Sequence, residues 1–252
     1  MKDNTKITVI VVAILAGLAI NGIYIGRSLQ RFKRDDRTIS VKGFSEREVK
    51  ADFAVWTIKT RITTNDIIAG SKEIESNKNK IVDFLIKKGI SAKEIIQQNL
   101  SVTDKLARDY GNTDIGGYRY IIENSIQVRT ENVDTVQRVS KMTDELLKAG
   151  VVISNSDDYN PSVQYLFTKL NDIKPEMLSE ATANARKAAV EFTKESKVKL
   201  GSLKKANQGL FSIMDRDASN AAQAGEGGYY SSNLNDVFKK VRVVVNIEYF
   251  VK

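Results

Sequence analysis

A run of 19 residues without a charged side chain, Ile7–Ile25, most strongly constrains how this chain can fold. At a helical rise of 1.5 Å per residue, about 20 residues span roughly 30 Å, the thickness of the hydrocarbon core of a bilayer. Thr8 and Asn21 are too few to form the polar face that a core helix of a soluble domain would show. The sequence therefore predicts a tail (1–6), a transmembrane anchor (7–26), a charged linker (27–37) and a folded domain (38–252).

The alternative to an uncleaved anchor is a signal peptide that is removed after export. Gly17-Leu18-Ala19 is a poor cleavage site and the apolar run continues beyond it, so the sequence favours the anchor. The charges leave the orientation open. Five Lys or Arg residues follow the segment and two precede it, which favours a cytoplasmic C-terminal side. A short tail before the first apolar run is, however, also how exported and anchored domains begin.

The chain contains neither cysteine nor histidine, which removes much of the chemistry that enzymes use. This absence excludes thiolate nucleophiles, Ser-His-Asp and Cys-His pairs, zinc sites built from these residues, and disulfides. We therefore expect a protein that is not an enzyme and that uses no cofactor or metal. The alternative is an enzyme that works with carboxylates or lysine, and it would need buried acids that converge in a cleft.

The net charge of +8 does not indicate a nucleic-acid partner. Residues 1–37 hold seven basic and three acidic side chains, which leaves 32 basic and 28 acidic side chains in the other 215 residues. Half of the excess positive charge therefore flanks the apolar run. In the remainder basic residues alternate with acidic ones, so no basic surface for nucleic acid is expected.

Residues 49–170 predict the order strand–helix–strand–strand–helix–strand. In chain order the segments are a strand Val49–Thr63, a helix from an N-cap at Asn65 to Lys88, strands Glu94–Thr103 and Tyr118–Arg129, a helix Asn132–Ala149, and strand residues from Val151 and Val163. Gly89 and Gly150 can take the left-handed conformation that ends a helix. This order is typical of the α+β class and of the ferredoxin-like split βαβ fold, with helices on one face of an antiparallel sheet.

Apolar periodicity predicts which face of each element is buried. The expected inward residues are Ala54, Trp56, Ile58 and Ile62 in the first strand, Ile67, Ile74, Ile81, Leu85 and Ile86 in the first helix, and Tyr118, Tyr120, Ile122, Ile126 and Val128 in the strand after the loop 104–117.

Residues 38–48 with 171–252 predict a second α/β subdomain. Pro175 suits the first turn of a helix, and an alanine-rich stripe follows it, which lets a helix approach its neighbour closely. The stripe consists of Leu178, Ala181, Ala185, Ala188, Ala189 and Phe192. A strand is expected within 200–213 and a loop at 215–236. The last strand places Val237, Val241, Val243, Val245, Ile247, Tyr249 and Val251 on one face.

Several segments resemble the SIMPL-domain family, and they occur in the order expected for it. They are Ile39-Ser-Val-Lys-Gly-Phe-Ser-Glu-Arg-Glu-Val-Lys-Ala-Asp52, Asn99-Leu-Ser-Val102, Gly117-Tyr-Arg119, the helix from Glu180 to Glu195 with Lys199-Leu-Gly201, and Val241-Arg-Val-Val-Val-Asn-Ile-Glu-Tyr249. The resemblance covers about residues 38–252. It implies an exported bacterial protein of the periplasm or envelope, and in some members a ring-forming oligomer or a role in oxidative-stress defence. No catalytic residues are established for the family.

The resemblance leads us to expect a single-pass protein of the bacterial inner membrane with an extracytoplasmic domain. We expect it to self-associate as a homo-oligomer, without catalysis, in protection of the cell envelope or against oxidative stress. The alternative function is a small-ligand or peptide-binding module in which the loops 104–117 and 215–236 form a lid. A pocket lined by both loops would favour that alternative.

Candidate interface residues are Tyr229, Tyr230, Glu46 and Arg47. The two tyrosines follow a glycine-rich turn, Gly225-Glu-Gly-Gly228, that lacks the Lys-Ser/Thr of a phosphate loop, and exposed aromatic residues suit subunit contacts. The tyrosines could instead pack that loop down. Glu46 and Arg47 belong to a charged cluster with Lys42, Glu48 and Lys50, which could form intersubunit salt bridges or a solvated sheet edge.

Two acidic pairs, Asp157-Asp158 and Asp215-Arg216-Asp217, are the nearest approach to a paired-carboxylate site. Hard cations need several converging oxygen ligands, and two aspartates in one turn do not supply them. We therefore expect both pairs to be solvated turn residues.

Overall fold

A computed structural model describes residues 37–107, 117–154, 162–217 and 235–252, with positions 17 and 22 as single helical residues. The protein is a mixed α+β chain with two four-stranded antiparallel sheets, so the predicted class is confirmed. The described residues divide into two compact units. Unit 1 comprises those of Met1–Ser45, Glu176–Phe211 and Val243–Lys252, and unit 2 those of Glu46–Pro175 and Ser212–Arg242. This division differs from the predicted subdomains at 212–242, which it groups with 46–175.

The elements are numbered here in chain order. The strands are β1 (Thr38–Lys50), β2 (Phe53–Thr64), β3 (Ile95–Asp104), β4 (Tyr120–Thr130), β5 (Val163–Leu166), β6 (Leu200–Gln208), β7 (Ser212–Asp215) and β8 (Phe238–Val251). The helices are α1 (Ile67–Lys87), α2 (Val133–Val139), α3 (Asp144–Lys148) and α4 (Leu170–Glu195). Short 3-10 turns occur at Ala92–Glu94, Lys105–Ala107 and Ser140–Met142.

Unit 2 contains the sheet with strand order β3-β4-β2-β5, in which all described pairs are antiparallel. Its elements follow the predicted order, except that the second predicted helix is divided into α2, a 3-10 turn and α3. Ser140 contributes to that division, because its hydroxyl donates to the carbonyl of Gln137 at 3.4 Å and so competes with the helical hydrogen bonds. Gly89 and Gly150 both have positive φ angles, +95° and +79°, as predicted.

The core of unit 2 lies between one face of β2 and β4 and the helices α1 to α3. It includes Trp56 and Ile58 of β2, Ile126 and Val128 of β4, Ile81 and Leu85 of α1, and Val136, Val139 and Leu146 of the divided helix. Three side chains were wrongly predicted to be inward, because Ile67, Ile86 and Tyr118 are exposed. All three lie at or beyond the ends of their elements, where periodicity no longer decides burial.

The N-cap of α1 is Asp66, not the predicted Asn65. The Asp66 carboxylate accepts hydrogen bonds from the backbone N–H groups of Ile68 at 2.9 Å and Ala69 at 3.2 Å. Asn65 is used elsewhere, since its side-chain oxygen accepts from the backbone N–H of Arg119 at 2.8 Å. Adjacent Asn and Asp residues are equally good caps, so local propensity could not choose between them.

Unit 1 contains most of α4, all of β6 and parts of β1 and β8, with the strand order β1-β8-β6. The division between the units falls inside β1, after Ser45, and inside β8, after Arg242. Helix α4 begins at Leu170, five residues before Pro175, so the placement of this proline in the first turn was wrong. The division in α4 falls directly after this proline.

The alanine stripe of α4 lies against β1, as its narrow side chains predicted. Ala181, Ala185 and Ala189 are completely buried, and a Cβ at Gly43 would lie 2.1 Å from the carbonyl oxygen of Ala181. Phe192, predicted to end this stripe, is instead 60% exposed, and Thr193 is buried in its place. Positions 181, 185, 189 and 193 continue a spacing of four residues, which Phe192 breaks.

Strand β8 confirms the alternation predicted for the end of the chain. Val237, just before it, and Val241, Val243, Val245, Ile247 and Tyr249 are all buried. Among the described residues, no helix is long and apolar enough to span a membrane. Except at positions 17 and 22, the predicted anchor lies outside the described residues and stays a prediction.

Candidate functional site

A buried ion pair between Lys239 and Asp215 is the most unusual feature of unit 2. Lys239 lies between Val237 and Val241 on the inward face of β8, and its side chain has no exposure to solvent. Its ammonium group bonds to Oδ1 of Asp215, the last residue of β7. Ionised side chains are rarely fully buried unless they are paired, so each group makes the burial of the other tolerable.

Asp215 also holds the chain at the C-terminal end of the loop predicted at 215–236. Its Oδ2 accepts hydrogen bonds from the backbone N–H groups of Asn235 at 3.0 Å and Asp236 at 3.2 Å. One carboxylate therefore joins β7, the residues that precede β8, and a side chain of β8 itself. The expectation that Asp215 is a solvated turn residue is wrong, whereas Asp217 is exposed as expected.

Arg216 extends this arrangement toward the surface of unit 2. Its guanidinium lies 3.4 Å from Glu48, 3.6 Å from Asp217 and 3.7 Å from Asp236, and it stacks over the ring of Phe238 at 5.1 Å. The charge of Asp236, and then those of Asp217 and Glu48, raise the pKa of Arg216, although partial burial opposes this. The guanidinium therefore stays charged at any pH at which the protein is folded.

The acidic residues of the predicted cluster in β1 have cationic partners within the chain. Glu46 lies 3.4 Å from the ammonium of Lys240 and 3.8 Å from the guanidinium of Arg242. Lys50 donates to both carboxylate oxygens of Asp134, at 2.7 and 2.8 Å. An intersubunit role for Glu46 would therefore have to share or replace these intrachain partners.

Most of the other predicted site residues fall outside the part of the chain that the structure describes. Tyr229, Tyr230 and the pair Asp157-Asp158 lie outside the described residues. Arg47 lies next to Glu46 in β1, and its side chain or backbone also interacts with another group. No group of three or more acidic side chains in the described ranges is arranged to hold a metal ion.

Lys239 is not among the predicted inward residues of β8, because that face was predicted from apolar side chains alone. The position of Lys239 in the strand could have identified it as inward. Residue 239 fills the gap in the alternation 237, 241, 243, 245, where a valine would be expected. A charged residue at an inward position needs a buried partner, and Asp215 is the buried carboxylate of the described residues.

Two of the cavities among the described residues each lie within one unit, and neither is lined by a described residue of the loops 104–117 and 215–236. The larger, of about 800 Å³, belongs to unit 1 and lies between α4, β6 and the C-terminal part of β8. The smaller, of about 430 Å³, belongs to unit 2 and is lined by Trp56, Leu147 and Val152 among others. Most residues of the two loops lie outside the described residues, so the ligand-binding alternative stays a prediction.

Comparison with known proteins gives one positive finding. The family model for SIMPL, described as a protein of unknown function (DUF541), matches residues 39–249, which is most of the chain. No curated protein matches the chain.

Proposed function

Because the chain belongs to the SIMPL family, whose function is unknown, we propose that it is a membrane-anchored, extracytoplasmic protein that self-associates and carries out no catalysis. In this proposal the segment 7–26 anchors the chain in the bacterial inner membrane, and the SIMPL domain lies in the periplasm. The strand order β3-β4-β2-β5 supports the ferredoxin-like assignment of residues 49–170.

Exposed apolar side chains in unit 1 are the observation that carries self-association. Leu210, in the connection between β6 and β7, is 94% exposed, and Phe44 and Phe192 are each more than half exposed. Complete burial of a leucine is worth about 1.5–3 kcal/mol, so a second copy that covered these side chains would gain stability. These side chains all belong to unit 1, and in this proposal they contribute to the contact between copies.

Light scattering on the purified full-length protein in an amphipathic polymer tests this proposal. We expect an oligomer at micromolar concentration, and we expect Leu210→Ser to shift the distribution toward the monomer. Leu106→Ser is a matched control, since Leu106 is also exposed but lies in unit 2. A monomeric wild-type protein would refute self-association, and an equal shift in both variants would exclude a specific role of the unit 1 residues.

The anchor and the orientation need separate measurements. An uncleaved anchor keeps the full-length chain in the membrane pellet after an alkaline carbonate wash, whereas a cleaved signal peptide releases a shortened chain. Alkaline phosphatase fused after Lys252 should be active if the domain is extracytoplasmic. An active cytoplasmic fluorescent protein at the same position would show the opposite orientation.

A role in envelope or oxidative stress protection forms the last part of the proposal. It cannot rest on a thiol that consumes oxidant, because the chain has no cysteine and only four methionines. We propose that protection comes from assembly at the membrane. A deletion strain that is sensitive to oxidants should then be rescued by the wild-type protein but not by an assembly-deficient variant.

A further inference from the structure

The larger cavity is an open groove within unit 1 whose floor and walls are mainly apolar. The inward side chains of β8, Val245, Ile247 and Tyr249, form the floor. Helix α4 contributes one wall, including Leu178 and Val190, and β6 contributes the other, including Leu203. All of these residues belong to the same unit.

The groove is present because α4 packs on β1 and does not lie over β6. The small side chains of Ala181 and Ala185 let the helix backbone contact β1 at Gly43, where nothing larger than hydrogen fits. Among the described elements, α4 consequently does not extend over the inner face of β6. Leu203 is 54% exposed and Val190 is 44% exposed, although both line the groove.

Arg186 gives this apolar groove a single formal charge. It lies on α4 one turn from both Thr182 and Val190, and no acidic residue lines the groove with it. Arg186 makes no ion pair with any other residue of the described ranges, in contrast to Arg61, Arg119 and Arg216. The groove therefore offers an apolar surface and an unneutralised cation at its edge.

We infer that the groove binds a single-chain anionic amphiphile, with its acyl chain on the floor formed by β8 and its carboxylate head group on Arg186. The volume of about 800 Å³ is within the range of small-molecule sites, which is roughly 300–1,000 Å³. A guanidinium binds a carboxylate through two parallel hydrogen bonds, which fixes the head group. No described residue of the loops 104–117 and 215–236 lines this groove.

The charge of the groove disfavours a second copy of the chain as its occupant. In a two-fold symmetric contact the same surface of both copies forms the interface, so the Arg186 cations of both copies would enter it together. Lys187 follows Arg186 on α4, and Lys204 and Lys205 lie on β6, which would add further repulsion. This inference goes beyond the proposed function and does not depend on self-association.

Photolabelling of the full-length protein in an amphipathic polymer tests the inference. The probe is palmitic acid with a diazirine in its acyl chain, and mass spectrometry of peptides identifies the labelled residues. We expect label in the segments 178–190 and 200–208. Arg186→Gln should reduce labelling about tenfold at low probe concentration, as expected for the loss of one charged hydrogen bond.

Three comparisons make the outcome decisive. Lys187→Gln removes a neighbouring cation that does not line the groove and should change labelling less than twofold, while Ala206→Trp should fill the groove and abolish labelling. A diazirine analogue of hexadecanol should label the groove weakly and equally in the wild type and in Arg186→Gln. Circular dichroism and the urea midpoint verify that each variant is folded.

Other outcomes would overturn the inference. Label confined to residues 7–26, or spread over the chain, would show partition of the probe into the anchor or the polymer. Equal losses of labelling in Arg186→Gln and Lys187→Gln would show that the probe is attracted to cations in general. Cross-links from the groove to a second copy would show that another molecule of this chain occupies it.

Discussion

The ammonium group of Lys239 donates a hydrogen bond to the carboxylate of Asp215 in the interior of unit 2. The pair joins β7 to β8, and the same carboxylate accepts two backbone hydrogen bonds from Asn235 and Asp236. Loss of the lysine would therefore leave a buried carboxylate that still has hydrogen bonds but no counter-charge. Such an arrangement is costly because water cannot reach the group to solvate it.

We expect Lys239→Met to lower the free energy of unfolding by about 3–5 kcal/mol, the usual effect of breaking a buried ion pair. A urea titration of the full-length protein, followed by circular dichroism, measures this. Lys240→Met is the matched control, because Lys240 is the next residue and its pair with Glu46, at 3.4 Å, is partly exposed. Loss of this pair should lower the free energy of unfolding by less than about 1 kcal/mol. Equal decreases in the two variants would contradict a stabilising buried pair.

Gly43→Ala should destabilise the protein by about 1–3 kcal/mol, as overpacking of a close contact does. The new Cβ would lie 2.1 Å from the carbonyl oxygen of Ala181 and 2.4 Å from the backbone nitrogen of Ala185, so α4 and β1 must separate. Thermal unfolding measures the change. Gly117→Ala is the control, since the nearest atom to its Cβ is 3.9 Å away, and it should change stability by no more than about 0.5 kcal/mol.

Tyr165 should lower the stability of the protein at alkaline pH. Burial raises the pKa of its phenol, and a hydrogen bond with Ser140 only partly opposes this. The unfolded chain then releases the phenolic proton near pH 10 while the folded chain keeps it, so stability falls as the pH rises above about 10. Tyr165→Phe should lose less stability between about pH 9 and 11, and an unchanged pH profile would contradict the shift.

Asp104 should stay ionised at lower pH than an ordinary aspartate. A side-chain hydrogen bond from Arg119, at 2.8 Å, lowers the pKa of Asp104, helped by the backbone N–H of Leu106. The contribution to stability is present above about pH 3.9 and is lost as the pH falls through the lowered pKa. Carbon-13 NMR of the carboxyl group should show this titration.

Arg119→Gln should raise the pKa of Asp104 toward its ordinary value. The control is Arg61→Gln, since Arg61 bonds to Glu123 and not to Asp104. If Arg61→Gln moved the titration as far as Arg119→Gln, the cause would be net charge and not the hydrogen bond.

Element type and order were predictable, because they depend on periodicity within each segment. The two glycines that end helices and the alternation in β8 were predicted in the positions where they occur. The ends of elements were not predictable to the residue. Asn65 and Asp66 are both good N-caps, and only the tertiary hydrogen bond from Arg119 to Asn65 distinguishes them.

The candidate sites depended on contacts between distant segments and were largely missed. The local sequence around Asp215 predicts a turn residue. Its partner, Lys239, lies 24 residues away in a different strand, and local sequence does not reveal that contact. The groove could not be predicted, since it depends on where α4 lies over its sheet. The alanine stripe predicted close packing of α4, but only Gly43 identifies β1 as the partner.

Strand β8 comes after all the other described elements, and this order has a consequence for biosynthesis. This strand pairs with β6 in unit 1 and with β7 in unit 2, so both units need it. The ribosome makes the chain from its N-terminus, and β1 is complete long before its neighbour β8 emerges. Neither unit can therefore finish folding before residues up to Val251 have left the ribosome, and a chain that stops before Phe238 would leave both without a strand.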